Sequence, residues 1–359
     1  MLRAIDLAWH GWGRVQPNPM VGAVVLNDGA IVGEGFHEQF GERHAERIAL
    51  DNAGPEALGG TLVVTLEPCC HHGKQPPCVD AVIAAGIERV VMAMPDPNPA
   101  ATGGAARLVE AGLDVDTGLL APQAACQNAA FLHQFRNPNR PWVALKLATS
   151  MDHRIADRRG KSQWVSGREA RDYVHRLRAG FDAIGVGAAT IRSDDPQLTV
   201  RGSVEARIAP ARIVFTRSGD VPRESSVVAT AHQVPTWVVH VGRERGAGDE
   251  ASPDPHGIRH LHGRSVEEAL AAVRAAGITS ILVEGGGALA GSLLDAGLVD
   301  RFYWVQSPLW LGDDGMPATR GITGALLGEG EEQRWTVTER RALGQDTLLV
   351  LDREPCSPG

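Results

Sequence analysis

Three cysteines and two histidines lie within twelve residues of this chain, in the run EPCCHHGKQPPC from Glu67 to Cys78. Thiolate and imidazole groups are the usual ligands of Zn²⁺ in proteins, and four ligands complete a tetrahedral site. One ion cannot use all five side chains of a single tight loop. The run therefore raises the question of which side chains bind, and whether the site reacts or only braces the fold.

A second pattern precedes this run and suggests reactive chemistry. His44-Ala45-Glu46 lies on a helix predicted over residues 42–54, and the cysteine-rich run follows a strand predicted over residues 59–68. His-x-Glu followed by Pro-Cys and a later Cys is typical of zinc-dependent deaminases. One imidazole and two thiolates leave the fourth position to a water, whose pKa the metal lowers toward neutrality. Glu46 can then take the proton of that water and deliver it to the ring nitrogen and the departing ammonia.

Two other assignments stay open on the residues alone. In one, Cys70 replaces Cys69 as a ligand, although adjacent side chains point in different directions. In the other, His71 and His72 close a purely structural site with the cysteines. A structural site gives no reason for Glu46, and this favours the catalytic interpretation.

Composition limits the class of protein. A chain of 359 residues predicts two domains, and 43% hydrophobic with 22% charged residues is ordinary for a globular protein. The net charge of -8 argues against a nucleic-acid or anionic-membrane surface. The first residues contain no apolar signal core, and no run is long enough to span a membrane, so we expect a cytoplasmic protein. Its five cysteines, three of them clustered, favour metal binding or catalysis over disulfides.

The elements that must position these residues alternate between helix and strand in the first part of the chain. A polar segment with two prolines, residues 135–142, is the best predicted domain boundary. Such alternation is typical of an α/β layer structure with a largely parallel sheet. The patterns predict helices over 2–12, 42–54, 78–87 and 105–113, a hairpin over 21–36 around Asp28-Gly29, and strands over 59–68, 89–94 and 114–118.

A second α/β series follows the boundary. It has no G-x-G-x-x-G after its first strand, so a Rossmann site is not expected. Instead EGGGALAGS, residues 284–292, follows a strand and opens a helix, where the N-terminus favours a pyrophosphate. The predicted strands are 142–150, 182–190, 211–217, 236–241, 280–287, 300–308 and 347–354, and the predicted helices are 167–181, 265–277 and 288–297.

Taken in order, several motifs resemble one known family. PNPMVGAVVLNDG, GEGFH, HAE, EPCCHHGKQPPC and DPNP resemble the deaminase domain of the bifunctional riboflavin-biosynthesis deaminase/reductases. From Pro141, RPWVALKLATSMDHRIADRRGKSQWVSG and DAIGVGAATIRSDDPQLTVRG resemble the reductase domain of that family. The resemblance covers nearly the whole chain. It implies a cytidine-deaminase-like three-layer α/β domain over residues 1–138 and a dihydrofolate-reductase-like α/β domain over residues 141–356.

The resemblance also implies an activity. The first domain would use Zn²⁺ to remove hydrolytically an amino group from a diaminopyrimidinone ribosylamine 5′-phosphate. The second would use NADPH to reduce the ribosyl group to ribityl. The partners would be this small phosphorylated pyrimidine and, through the reductase domain, further copies of the chain.

Site residues follow from the same resemblance. The metal ligands would be His44, Cys69 and Cys78, with Glu46 as the proton shuttle and Cys70 as a spare thiol. The implied deaminase substrate contacts are Asn18, His37, Lys74, Asp96 and Asn98. The implied NADPH contacts are Ala148, Trp164, Thr190, Asp194, Gly286, Gly287, Ala288, Leu289, Ala290, Gly291 and Ser292. The implied reductase substrate contacts are Lys146, Ser162, Arg178, Leu198, Arg201 and Glu284.

Some of these assignments have a physical reason and a plain alternative. An ammonium at Lys74 and a guanidinium at Arg178 or Arg201 suit a phosphate. Asp96 and Asn98 are equally typical of turns that precede a proline or follow one. Arg178 lies in an arginine-rich helix and is equally explained as part of a solvated face.

Two departures from the family pattern concern the second domain. SMDHR has His153 where the family usually has Gly, which suggests a positive φ that His tolerates poorly. The second departure is at the end of the strand predicted over residues 211–217, where this chain has FTR, ending at Arg217, and the family usually has Asp-Ser. These departures favour a deaminase with an impaired reductase domain as a rival hypothesis. Two further hypotheses are a nucleoside or nucleic-acid deaminase and a non-catalytic zinc-braced binding module.

Overall fold

The computed structural model describes residues 1–163, 165–202, 204–244, 254–323 and 335–353. They form two units, one of residues 1–136 and one that begins at residue 137. Trp164, a predicted NADPH contact, lies outside the described residues. Within the described ranges, no helix is both long and apolar enough to span a membrane.

The first unit is built on one sheet with helices on both faces. Its strands are β1 (Gly22–Asn27), β2 (Ala30–Phe36), β3 (Thr61–Val64), β4 (Arg89–Met92) and β5 (Asp114–Thr117). Its helices are α1 (Leu2–Ala8), α2 (Ala45–Ala53), α3 (Cys78–Ala84), α4 (Gly104–Glu110), α5 (Ala121–Gln127) and α6 (Ala129–Arg136). The strand order is β2-β1-β3-β4-β5, in which β1 is antiparallel to both neighbours and β3, β4 and β5 are parallel.

The three layers follow from strands that are apolar on both faces. Successive side chains of a strand point to opposite sides of the sheet. Val24, Val63 and Val91 form a cluster with Ala4 and Leu7 of α1 on one side. The alternate residues of the same strands cluster with α2, α3 and α4 on the other side. The predicted three-layer α/β fold is confirmed.

This topology brings two loops to one edge of the sheet. β3 and β4 are parallel, so the segments that leave their carboxyl ends start side by side. The first segment contains the cysteine-rich run, and the second contains Asp96 and Asn98. The carboxyl edge of parallel strands is where α/β proteins usually bind ligands.

The second unit is built on a nine-stranded sheet and a small two-stranded one. Its strands are β6 (Trp142–Thr149), β7 (Arg154–Ala156), β8 (Ala183–Gly187), β9 (Ala211–Thr216), β10 (Thr236–Val241), β11 (Ile258–Gly263), β12 (Ser280–Glu284), β13 (Arg301–Gln306), β14 (Met316–Pro317), β15 (Thr336–Leu343) and β16 (Asp346–Asp352). Its helices are α7 (Arg168–Arg178), α8 (Ala188–Asp194), α9 (Ser226–Ala229), α10 (Val266–Ala275) and α11 (Gly287–Asp295).

The large sheet has the order β11-β10-β9-β8-β12-β6-β13-β16-β15. Its strands are parallel from β11 to β13, and β16 and β15 continue it antiparallel. The parallel strands are buried on both faces, by α10 and α11 in one cluster and by α8 and α9 in another. The predicted α/β class of this domain is confirmed.

The predicted elements are present, but the sequence patterns missed others. The strand predicted over 182–190 ends at Gly187, and α8 starts there instead. His44 is the N-cap of α2 rather than a residue within the helix. The elements that were not predicted are α5, α6, α8, α9, β7, β11, β14 and β15.

One glycine in α11 has a packing reason that can be tested. A Cβ added at Gly291 would lie 1.8 Å from the backbone oxygen of Arg320. We expect Gly291→Ala to lower the free energy of unfolding by about 1–3 kcal/mol, as overpacking of a core does. Urea unfolding of the full chain, followed by tryptophan fluorescence, measures this difference.

The matched control is Gly187→Ala in the same unit. Gly187 has an extended backbone conformation, with φ -77 and ψ 150. A Cβ there meets only Leu289, at 3.8 Å. Equal losses in the two variants would contradict the packing explanation.

Candidate active sites

Three potential metal ligands from separate parts of the first unit come together. His44 caps α2, Cys69 follows β3, and Cys78 is the first residue of α3. Their ligand atoms all lie within 4.8 Å of one another. His44 Nδ1 is 3.2 Å from Cys78 Sγ and 3.5 Å from Cys69 Sγ.

Cys70 points elsewhere. Its thiol donates to the carbonyl oxygen of Thr102, with an S···O distance of 2.9 Å. Neither Cys70 nor His71 nor His72 belongs to the group formed by the three ligand candidates. The geometry therefore favours Cys69 over Cys70 and gives no closed site of four protein ligands in the described residues.

The pKa values of the two thiols of the group shift in opposite directions. The pKa of Cys69 is lowered, first by the hydrogen bond from the Cys78 thiol, with further help from His44 and from the Cys78 backbone N–H. The pKa of Cys78 is raised, first by that same bond to Cys69 and then by burial. The Cys78 N–H, at the start of α3, donates to Cys69 Sγ over 3.4 Å. A helix N-terminus is a favourable place for a thiolate.

Glu46 lies beside this group in the first turn of α2. Its side chain is only 3% exposed, and burial raises its pKa. It lines a cavity of about 250 Å³ together with His44 and Cys69. A buried carboxyl that faces the cavity from beside the ligands can bind and release a proton there.

All five predicted substrate contacts line the same cavity. They are Asn18, His37, Lys74, Asp96 and Asn98. The turn explanation is also correct for two of them, because Asp96 Oδ1 accepts from the Asn98 N–H and Asn98 Oδ1 accepts from the Ala100 N–H. The two explanations are therefore compatible.

Hydrogen bonds fix the polar groups of the cavity. The Nδ1 atom of His37 lies 3.2 Å from the carbonyl oxygen of Arg43 and must donate to it, so Nε2 is free to accept from the Asn18 amide, 3.3 Å away. Burial lowers the pKa of His37, which favours this neutral ring. Burial also raises the pKa of Asp96, to about 6.

Two residues have a role at this cavity that the sequence patterns did not predict. Asn128, between α5 and α6, accepts from the Met20 N–H and donates to the Met20 carbonyl, and so holds the segment that carries Asn18. His71 lines the cavity, and its Nδ1 is buried with no hydrogen-bond partner in the described residues. No pattern in the sequence indicated Asn128, whereas His71 was visible in the cysteine-rich run.

In the second unit, the predicted substrate residues form a charged cluster. Arg178 donates to both carboxylate oxygens of Glu284, at 2.6 and 2.9 Å, and to the carbonyl of Thr199. Lys146 on β6 is the register partner of Glu284 on β12. Burial alone would raise the pKa of Glu284, but Arg178 and Lys146 lower it overall. Burial lowers the pKa of Lys146.

Contacts connect some of the remaining predicted residues of this unit in pairs. The Ser162 hydroxyl donates to Asp194 over 2.8 Å. A Cβ added at Gly286, the N-cap of α11, would lie 3.1 Å from Thr190 Oγ1. Leu198 is buried, Arg201 is exposed, and Ala148 belongs to β6. The Ser292 hydroxyl donates to the Ala288 carbonyl of its own helix.

The departures from the family pattern are accommodated. His153 does adopt a positive φ, of 59°, which is the conformation that Gly would favour. Its ring lies against Trp304, with centroids 5.2 Å apart. Arg217 is exposed in the turn after β9. Neither residue disturbs the register of the parallel strands.

Comparison with known proteins identifies the family of the chain. The family model of the RibD C-terminal domain matches residues 141–349, and that of the cytidine and deoxycytidylate deaminase zinc-binding region matches residues 1–94. The riboflavin biosynthesis protein RibD of Escherichia coli K12 is 41% identical over 98% of each chain. That of Aquifex aeolicus is 38% identical, over 98% of this chain and 97% of the relative. The chain belongs to the RibD family.

Solved structures of the family have the same fold. Acinetobacter baumannii RibD superposes with a TM-score of 0.81 at 32% identity, covering 98% of this chain and 97% of that one. The Thermotoga maritima diaminohydroxyphosphoribosylaminopyrimidine deaminase/5-amino-6-(5-phosphoribosylamino)uracil reductase superposes with a TM-score of 0.82 at 35% identity, with the same coverage. Family membership makes the chain a bifunctional enzyme of riboflavin biosynthesis, with a zinc deaminase domain and an NADPH-dependent reductase domain.

The residues present fit both cofactors. One half-buried imidazole and two buried thiols, with ligand atoms within 4.8 Å of one another, are the donor set of a catalytic zinc site with one open position. In the second unit, the N-cap Gly286 brings no side chain to the start of α11, so the first N–H groups of that helix stay open to a phosphate.

The metal assignment leads to a direct test. We expect Cys69→Ser and Cys78→Ser to lower zinc affinity at least tenfold, because each removes a thiolate ligand. Metal analysis of the purified proteins after dialysis measures the zinc content.

The matched control is Cys70→Ser, next to Cys69 in the chain. A serine hydroxyl can replace the thiol as donor to Thr102, so this variant should keep zinc and deaminase activity. Loss of zinc in Cys70→Ser with retention in Cys69→Ser would reverse the assignment.

Proposed function

We propose that residues 1–138 carry the deaminase and residues 141–356 the reductase, with His44, Cys69 and Cys78 as the zinc ligands. The observation that carries the first part is the convergence of these three ligand atoms within 4.8 Å beside the buried Glu46. A structural site needs no carboxyl in that place. The proposed substrate is a diaminopyrimidinone ribosylamine 5′-phosphate, which loses ammonia and becomes the uracil.

The chain's own residues divide the work of deamination. Bound zinc supplies the Lewis acid that makes a water nucleophilic at neutral pH. Glu46 would take one proton from the attacking water and give it to the ring nitrogen, and would then take the second proton from the new hydroxyl group and give it to the leaving amino group. Asn18 and Asp96 offer donors and acceptors to the edge of the pyrimidine, while His37, whose two ring nitrogens are already hydrogen-bonded, holds the Asn18 amide in place. Hydrogen bonds from these fixed groups hold the substrate in the reactive orientation, which lowers the entropy cost of the reaction.

Lys74 is proposed to bind the substrate phosphate. Its ammonium lies 4.0 Å from the centroid of the Phe40 ring and is otherwise exposed at the rim of the cavity. A cation held over an aromatic face keeps its donors for an anion on the open side. The position at the rim fits a phosphate that is joined to the pyrimidine through a ribosyl group.

The proton-shuttle assignment predicts a large effect of an isosteric change. Glu46→Gln keeps the shape but cannot accept a proton, so we expect kcat for ammonia release to fall at least about 100-fold. Zinc content should remain that of the wild type. The measurement is ammonia release from the diaminopyrimidinone substrate, together with metal analysis.

Asp51→Asn is the control on the same helix. Asp51 is exposed and pairs with Arg43 and Arg47 on the surface. This variant should release ammonia at the wild-type rate. Wild-type turnover in Glu46→Gln that still holds zinc would exclude the proposed mechanism.

For the second unit, we propose that NADPH supplies the hydride and that the Lys146–Glu284–Arg178 cluster holds the ribosyl group. Lys146 and Glu284 are neighbours across β6 and β12, so they reach the same group of a substrate at the carboxyl edge of the sheet. The ion pair uses three N–H groups of Arg178, counting the bond to Thr199, and leaves two for a substrate. The cofactor contacts proposed are Ala148, Trp164, Thr190, Asp194 and residues 286–292, and the further substrate contacts are Ser162 and Leu198.

Arg201 is the proposed phosphate contact of the reductase. Burial, followed by Arg178 and then Arg201, lowers the pKa of His175, so both guanidinium groups lie near this ring. We expect Arg201→Gln to raise KM for the deaminated substrate about 10- to 100-fold, since a charge-assisted hydrogen bond contributes about 1.5–3 kcal/mol. KM for NADPH should stay within about twofold. NADPH oxidation followed by absorbance gives both constants.

Arg223→Gln is the control, because Arg223 is exposed and lies in a loop of the same unit. It should leave both constants unchanged. An unchanged substrate KM in Arg201→Gln would exclude Arg201 as a contact. No NADPH oxidation by the wild-type enzyme would favour the hypothesis of an impaired reductase domain.

We further propose a cytoplasmic homo-oligomer joined through the second unit, without nucleic acid or membrane as partner. Thiolate ligands are preserved in a reducing compartment. Among the described residues β15 is an edge strand of the large sheet, and an edge strand can pair with a further chain. The net charge of -8 offers no basic surface for nucleic acid.

A further inference from the structure

Glu67 is a buried carboxylate that the deaminase mechanism leaves without a role. Its side chain is 6% exposed, and its hydrogen bonds run to backbone N–H groups instead of to a cation. Oε2 accepts from Asp96, at 3.0 Å. Oε1 accepts from Gly103 and Ala105, at 3.1 and 2.8 Å. A buried charge is stable only when several donors satisfy it, and this one has three.

These three donors lie at the two ends of one loop. Asp96 starts the segment that leaves β4, while Gly103 is the N-cap of α4 and Ala105 lies in its first turn. Between them, Asp96 and Asn98 accept from backbone N–H groups two residues further on, so the segment folds as consecutive turns. Glu67 therefore connects the two ends of the loop formed by residues 96–105.

The backbone around Glu67 is built for this contact. A Cβ added at Gly104 would lie 1.9 Å from the carbonyl oxygen of Pro68, the residue after Glu67. The start of α4 can approach the carboxyl end of β3 only because residue 104 has no side chain. This approach brings the first N–H groups of α4 within reach of the Glu67 carboxylate.

We propose that Glu67 is a positioning residue of the deaminase. It holds the loop so that the side chains of Asp96 and Asn98 can contact the bound pyrimidine. The inference rests on the proposed role of the cavity. Glu67 does not reach the metal ligands, whose contacts run to His44 and to the start of α3. Its effect is expected in substrate binding, and the zinc site should not change.

The competing explanation is purely structural. Glu67 lies two residues before Cys69, so it could instead shape the metal loop. That explanation predicts loss of zinc and of kcat when Glu67 is altered. The positioning role predicts a higher KM with zinc and kcat preserved, as expected for an interaction made equally in the ground and transition states.

The decisive variant is Glu67→Gln in the full-length zinc enzyme. An amide has the same shape but only one acceptor oxygen, so its NH₂ group must face one of the backbone donors. We expect KM for the diaminopyrimidinone substrate to rise at least tenfold, with kcat within threefold and zinc content unchanged. Glu110→Gln, at the exposed end of α4, is the matched control and should show wild-type constants.

A double-mutant cycle with Asp96→Asn identifies the path of the effect. If Glu67 acts through Asp96, the KM of the double variant should lie within threefold of the KM of the single variant that has the higher KM. Independent effects would multiply instead. Multiplied effects, a wild-type KM, or loss of zinc from Glu67→Gln would each overturn the inference.

Glu67→Asp covers the case in which the amide variant does not fold. It keeps the charge but is one methylene shorter, so it cannot reach both ends of the loop, and KM should again rise. The wild type and Glu46→Gln are assayed alongside. Ammonia release that is lost in Glu46→Gln, combined with a normal KM in both Glu67 variants, would overturn this inference alone. No release by the wild type would overturn the proposed function and this inference with it.

Discussion

The deaminase unit depends on the contact between two buried sulfur atoms and one imidazole. Two thiolates at this distance repel each other strongly, so both can ionise only with a cation between them. The opposite pKa directions of Cys69 and Cys78 agree with this constraint, because the hydrogen bond between the two thiols lowers the pKa of Cys69 and raises that of Cys78. Two of the three ligand candidates, His44 and Cys78, lie at the starts of helices, and Cys69 lies in the loop after β3, so the fold of the unit brings three separate segments together.

The second unit also buries several charged groups beside one another. Arg178, Lys146 and Glu284 form a largely buried cluster with a net positive charge. The single carboxylate keeps its low pKa because two cations lie beside it, despite the cost of burial. An anionic substrate would complete the neutralisation. These charges suit the anionic substrate proposed for this unit.

Much of this could be predicted from the sequence, and the reason lies in local patterns. The strands around Val24, Val63 and Val91 have apolar residues on both faces, so the layered α/β fold was expected. The metal site could be predicted because His-x-Glu and the cysteine-rich run each occupy a short stretch. The polar edge strand β15 and the alanine-rich α5 have no such periodicity, and tertiary packing determines them.

The supporting residues could not be predicted for a related reason. Asn128 holds the backbone of Met20, which is 108 residues away in the chain. Glu67 belongs to the cysteine-rich run, but its hydrogen-bond partners follow the next strand. Such residues act on backbone groups rather than on other motifs, so only the folded chain reveals the pairing. His153 shows the converse, since its positive φ was expected from the family pattern and is retained without glycine.

The position of His44 as the N-cap of α2 links metal binding to folding. The helix that starts at this ligand packs against β1, β2 and α3 and supplies much of the core of the first unit. A metal that binds only the folded form stabilises it by mass action. The thermal stability of the first unit should therefore rise with the concentration of free zinc, while that of the second unit should not change. In a zinc-poor cell, the pathway would then lose its deaminase step before its reductase step, through unfolding as well as through lost chemistry.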